Sequence, residues 1–178
     1  MKQVIFIRHG ESIANAEDWV AGRTDVELTG LGREQAKKAA QKVIADGKKV
    51  GIIIASPLKR ARETAEIIAR EIGYPISKIQ IDLNLIELET GKWTRGTHQK
   101  LSDDMLSGVF PDGYKEEIAI HGRSIIEKLR SIPEQNIMLV GHGGAGRMML
   151  QLIKDPDHYL DDTKQPRLKN CDPTYVKI

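Results

Sequence analysis

The sequence has a single cysteine, Cys171, among 178 residues. That excludes an intramolecular disulfide framework and suits a reducing cytoplasm, where the protein is expected to reside. Aromatic residues make up only 4%, too few for a groove that stacks nucleobases or sugars. No apolar run approaches the roughly 18 residues of a membrane span. Val4 to Ile7 is too short for the apolar core of a signal peptide, and Arg8 ends it. Neither sign of charge dominates: 27 Lys and Arg face 25 Asp and Glu, a net of +2. A strongly basic nucleic-acid surface is therefore excluded, and neither nucleic acid nor membrane is expected as a partner. Hydrophobic residues, at 40%, exclude general disorder. At roughly 150 residues per domain, residues 1–178 form one domain. A chain of this size buries about 70% of its unfolded surface and needs no disulfide or structural metal.

Strand-like and helix-like patterns alternate along the chain. Gln3 to Ile7, Gly51 to Ala55 and Asn136 to Gly141 are short apolar runs of the kind buried on both faces of a sheet. Ile79 to Asp82 and Thr174 to Ile178 are expected as further strands. Thr29 to Asp46 reads as a helix with Thr29 as N-cap and Gly47 past its end. Ser56-Pro57 reads as an N-cap followed by proline at the first helical position, opening a helix to about Ile72. Glu116 to Ile132 and Gly146 to Lys154 complete the helices. Residues 94–120 break the rhythm and are expected to form a loop or short cap, while 155–173 are expected to be irregular. The pattern predicts a three-layer α/β/α sandwich with a mostly parallel sheet. Ligands in such sheets bind beyond the carboxyl ends of the strands. Arg8-His9-Gly10, Ser56 to Arg60 and Gly141-His142-Gly143 all fall there.

Two histidines and two arginines at one sheet edge suit phosphoryl transfer without a metal. Positioned cations and N–H donors stabilise the transferring group. Arginine binds two oxygens at once and stays charged. Neutral imidazole can attack phosphorus, and a carboxylic acid can protonate the leaving oxygen. Arg8 and Arg60 supply the cations, His9 and His142 the imidazoles. Glu87 and Glu89 are the candidate acids, with Glu87 favoured by its spacing to Gly91 and Trp93. Arg60 would also lie in the first turn of its helix, where the positive dipole end favours anions.

Ile7-Arg8-His9-Gly10-Glu11-Ser12 with Asn15 resembles the opening motif of the histidine phosphatase superfamily, also called phosphoglycerate-mutase-like. The likeness continues through Gly22 to Asp25, Leu28-Thr29 with Gly32, Ser56 to Ala61 with Thr64-Ala65, Leu85 with Glu87, and Val140 to Gly144. It implies the phosphoglycerate-mutase-like fold, with His9 as the nucleophile that becomes phosphohistidine and Glu87 as acid, then base. Arg8, Asn15, Arg60, His142 and the backbone N–H of Gly143 would hold the phosphate. Ala21 and Gly22 match a loop bordering the substrate. No metal and no cofactor are implied. The expected activity is hydrolysis of a phosphomonoester, on a small phosphorylated metabolite or a phosphorylated protein side chain.

Trp93 is followed by Thr94-Arg95-Gly96 where relatives carry Trp-x-Gly, and Pro111 to Tyr114 stands where they carry Gly-Glu-Ser. Residues 94–117 hold only Arg95, Lys100 and Lys115 as cations, which favours a phosphatase over a mutase gripping a bisphosphorylated substrate. A phosphate-binding module with little turnover is the alternative from another class. Gly141 to Gly146 also matches G-x-G-x-x-G after a strand, with Asp161 and Asp162 at about the spacing of a ribose contact. No strong strand follows, so the glycines are better read as making room for backbone near a phosphate. Arg62, Arg33 and Arg147 are expected as structural or surface charges, His98, His121 and His158 as surface histidines, and Cys171 as an inert thiol; His98 and Arg95, both in the cap stretch, are also candidates to touch substrate.

Overall fold

Alternating side chains send the apolar strands into two separate cores. A computed structural model describes residues 1–110, 113–155 and 167–178. Its strands are β1 (Gln3–Arg8), β2 (Ile52–Ala55), β3 (Gln80–Ile81), β4 (Asn136–Gly141) and β5 (Thr174–Lys177). They form one sheet in the order β3-β2-β4-β1-β5. All neighbours are parallel except β1 and β5. The helices are α1 (Ile13–Ala16), α2 (Gly30–Ala45), α3 (Lys59–Glu71), α4 (His98–Leu106), α5 (Tyr114–Ser131) and α6 (Gly143–Lys154).

Strand residues two apart share a face. Val4, Phe6, Ile52, Ile54, Ile137 and Leu139 pack with residues of α5 and α6. Ile5, Ile7, Ile53, Ala55, Met138 and Val140 point the other way, onto the alanine-rich faces of α2 and α3. This is the expected three-layer α/β/α sandwich. Register then gathers the site: Arg8 pairs with Gly141 and Ala55 with Val140. The next residues, His9, His142 and Ser56, leave the sheet side by side.

Several helix boundaries differ from the sequence reading. The third helix starts at Lys59 with Leu58 at the N-cap, not at Ser56-Pro57. The Ser56 hydroxyl is instead 2.7 Å from His142 Nε2, and the Lys59 N–H donates to Asp25 Oδ1 at 2.7 Å. The last helix starts at Gly143, not Gly146. Two glycines of low helix propensity hid that first turn. The fifth helix likewise begins at Tyr114 rather than Glu116. In the expected loop, α4 forms with the Thr97 side chain accepting from the Lys100 N–H. Asp161, Asp162 and His158 lie outside the described residues, as do Pro111 and Asp112.

Gly146 is explained by packing. A Cβ built there would lie 2.1 Å from Phe6 Cζ, inside the core under α6. Gly146→Ala is expected to destabilise the fold by about 1–3 kcal/mol through overpacking. Urea unfolding of the variant beside wild type measures this; an unchanged midpoint would show that α6 is not tightly seated on Phe6.

Candidate active site

Beyond the carboxyl ends of β1, β2 and β4 lies a cleft of about 320 Å³. His9 follows β1 and is 4% exposed. Its Nδ1 donates to the Gly10 carbonyl at 2.7 Å, and Arg60 Nε donates to its Nε2 at 3.2 Å. A carbonyl can only accept and a guanidinium can only donate. Both contacts therefore fix the tautomer with the proton on Nδ1 and the lone pair on Nε2. Burial, then the charges of Arg60 and Arg8, hold the imidazole well below its ordinary pKa. At neutral pH, His9 is an uncharged base with its lone pair turned toward Arg60.

Arg60 is 2% exposed. Besides His9, it donates to the Thr24 carbonyl at 2.9 Å and the Gly22 carbonyl at 2.8 Å. Gly22 takes a left-handed φ of +50°, and a Cβ there would lie 2.2 Å from Thr90 Oγ1. A residue other than glycine would strain the turn that presents its carbonyl. Arg62, two positions on, is exposed. It borders a polar surface hollow with Lys59 and Glu63. Arg33 pairs with Glu63 at 2.5 Å. Asn15 Oδ1 accepts from the Ser12 N–H at 3.2 Å and from Asn170 Nδ2 at 3.3 Å. These contacts orient the amide, and Asn15 lines the cleft.

His142 is fully buried, with its ring centroid 5.2 Å from that of His9. It stands behind His9 rather than on the cleft wall. Its Nε2 meets Ser56, and its Nδ1 has no hydrogen-bond partner among the described residues. Burial, followed by the charge of Arg60, lowers its pKa well below the ordinary value.

Glu87 lines the cleft, while Glu89 is exposed and absent from its wall. Glu87 accepts from the backbone N–H of Gly144 at 3.2 Å, Ala145 at 2.9 Å and Leu88 at 3.0 Å. Two of these donors belong to the first turn of α6, whose dipole favours an anion. Arg23 Nε donates to the Glu87 carbonyl at 3.0 Å. Its guanidinium also pairs with Glu117 of α5, which accepts from the Glu89 N–H at 3.2 Å. That bridge braces the backbone around Glu87.

Arg8, Ala21, Gly22 and Gly143 also line the cleft. Arg8 Nη1 donates to the Leu168 carbonyl at 2.8 Å. Some lining residues escaped the sequence reading. Arg147, expected as a structural or surface charge, is on the wall, and so is Arg167. Both stand outside the cap stretch whose cations were counted. His98, read as a surface histidine but also, with Arg95, as a cap residue that could touch substrate, lines the cleft and meets Asp18 at 3.0 Å. Cys171 is buried, and burial pushes its thiol up to about 12, so it stays protonated.

The sequence model of the histidine phosphatase superfamily (branch 1) matches residues 4–178. A probable phosphoglycerate mutase GpmB of Photorhabdus laumondii is 34% identical, over 96% of this chain and 82% of the relative. The Escherichia coli O1:K1 protein of the same name is 33% identical, with the same coverage. Among solved structures, a mycobacterial glucosyl-3-phosphoglycerate phosphatase with VO3 superposes with a TM-score of 0.82 at 24% identity. It covers 99% of this chain and 93% of its own. An Entamoeba histolytica phosphoserine phosphatase in complex with 3-phosphoglyceric acid gives 0.76 at 26% identity, covering 98% and 90%.

The buried histidines make stability depend on pH. Unfolded, His9 and His142 take up protons near pH 6.5; folded, they resist protonation. Stability is therefore full above about pH 6.5 and falls as pH drops below it. The slope is about 1.4 kcal/mol per pH unit for each proton taken up on unfolding. Half-buried His121, also lowered by burial, adds a smaller share. Urea unfolding between pH 7.5 and 5.5 is expected to show a slope approaching two protons. A flat profile would contradict the burial of both rings.

Proposed function

The chain belongs to branch 1 of the histidine phosphatase superfamily, and from that premise we propose that it hydrolyses a small phosphomonoester through a phosphohistidine on His9. The observation that carries this reading is the tautomer of His9, whose Nε2 lone pair sits against a buried guanidinium. A phosphate drawn to Arg60 arrives at that nitrogen. In the first step, Nε2 attacks phosphorus, the ester P–O bond breaks, and Glu87 gives its proton to the leaving oxygen. In the second, Glu87 takes a proton from water as the water oxygen attacks phosphorus. The N–P bond breaks, inorganic phosphate leaves and His9 returns neutral. Arg8, Arg60 and Asn15 hold the non-bridging oxygens, the Gly143 N–H donates to them, and His142, expected as a direct phosphate ligand, backs the His9 ring instead. No step requires a metal. Ala21 and Gly22 border the rest of the substrate, and residues 94–120 act as its cap. The phosphatase neighbours act, by their names, on small phosphorylated metabolites, which supports the same class here over a phosphorylated protein.

A second reading is phosphoryl transfer of the mutase type, favoured by the name that the 33–34% identical relatives carry. The scarcity of cap cations argues less against it than the sequence alone implied, because Arg147 and Arg167 reach the cleft from elsewhere.

Phosphate release from an aryl phosphate and an alkyl phosphate tests the reading. His9→Ala is expected to lose roughly three orders of magnitude on both and to give no acid-labile phosphoenzyme in rapid quench. Glu87→Gln is expected to lose roughly a hundredfold on the alkyl ester and far less on the aryl one, whose leaving group needs little protonation. EDTA should change neither rate. Wild-type-like turnover by His9→Ala would reject the mechanism, and primer-dependent isomerisation of phosphoglycerate would favour the mutase.

A further inference from the structure

The turn from Gly22 to Thr24 serves two partners. Its carbonyls at Gly22 and Thr24 accept from Arg60, at 2.8 and 2.9 Å. The side chain between them, Arg23, goes elsewhere. Its Nε donates to the Glu87 carbonyl at 3.0 Å, and its Nη2 pairs with Glu117 of α5. One three-residue turn thus touches both the cation beside His9 and the backbone that bears Glu87. Arg23 itself is not among the residues lining the cleft, so whatever it does for the reaction passes through its neighbours.

The acid-bearing segment is tied along α5. Beyond β3, Lys128 donates to Asp82 Oδ2 at 2.6 Å, His121 Nδ1 lies 3.2 Å from Asn84 Oδ1, and Glu117 accepts from the Glu89 N–H at 3.2 Å. Positions 117, 121 and 128 fall on one helical face. A single polar stripe of α5 therefore holds the segment on both sides of Glu87. Arg23 joins that stripe to the turn on Arg60. The side chains of Arg23 and Glu117 are 34% and 17% exposed, so salt screens their pair less than one at the open surface.

We propose that Arg23 is a positioning residue for the proton donor: it sets the separation between the Arg60–His9 pair and the Glu87 carboxyl, with Glu117 holding its guanidinium in place. The inference rests on the phosphatase reading of the cleft and adds a residue from outside it. The carbonyls that hold Arg60 belong to the backbone and stay when the Arg23 side chain is removed. What is lost is the tie to Glu87. Proton transfer needs that carboxyl within hydrogen-bond reach of the leaving oxygen, and small misplacements are costly there.

Steady-state hydrolysis of p-nitrophenyl and phenyl phosphate tests this. The two esters are close in size, but the phenyl leaving group relies more on protonation. Arg23→Ala is expected to lose about tenfold in kcat on phenyl phosphate and far less on the nitrophenyl ester, with both KM values near wild type. Arg23→Lys keeps a charge for Glu117 without the fork, and should recover part of the loss. Glu117→Gln should show the same preference, more weakly. Added to Glu87→Gln, Arg23→Ala should cost little more on phenyl phosphate, because the group it positions no longer carries the proton. Equal losses on both esters, an unchanged phenyl phosphate rate, or full additivity with Glu87→Gln overturns the proposal. Should Arg23→Ala fail to fold, Arg23→Lys and Glu117→Gln decide by the same comparison. Absence of p-nitrophenyl phosphate hydrolysis by wild type is a separate result: it overturns the phosphatase reading, and the proposal with it.

Discussion

A buried guanidinium that touches no carboxylate among the described residues is the constraint on which this site depends. Arg60 is almost wholly removed from water, and among the described residues it donates to two carbonyls and an imidazole nitrogen. A charge so placed is costly unless polar groups surround it. The Gly22 and Thr24 carbonyls supply part of that compensation and hold the loop over α3. The imidazole supplies the rest, and can accept only while Nε2 is unprotonated. One arginine thus sets the loop and keeps His9 neutral. An anion entering the cleft would meet a cation already stripped of water, where attraction is stronger than in bulk solvent.

The sheet makes this arrangement reproducible. Parallel pairing of β1 with β4 and of β4 with β2 ends three strands at one level. Each next residue carries a functional group: His9, His142 and Ser56. The hydroxyl of Ser56, free of any helix-capping duty, holds the buried His142 ring behind His9. Orientation of the inner imidazole is therefore fixed from the β2 side of the sheet.

Much of this was legible in the sequence because strand identity is local. Apolar runs of four to six residues gave β1, β2 and β4, and their ends gave His9 and His142. Arg60 was legible from its motif and its place in the first turn of α3. What escaped depends on contacts between distant segments. Gly143 and Gly144 look like loop residues until a carboxylate from residue 87 accepts their turn's hydrogen bonds. Ser56-Pro57 looks like a cap until His142 claims the hydroxyl. Arg147 looks like a surface charge because helical spacing says nothing of the cleft beside it, and Arg167 stands in a segment without periodicity. The helix that Thr97 caps, α4, lies in the stretch expected as a loop or short cap.

The position of Glu87 links the empty cleft to the proposed chemistry. Its carboxylate sits on the N–H groups that open α6, beside the Gly143 N–H assigned to phosphate. This carboxylate satisfies donors that a helix otherwise leaves without partners. In the proposed mechanism a bound phosphate brings a second anion close to this carboxyl, and like charges at short range repel. The acid and base roles proposed for Glu87 require its carboxyl to exchange these N–H groups for the ester oxygen. The Arg23–Glu117 bridge fixes the backbone about which the carboxylate would turn, so the motion needs only side-chain rotation.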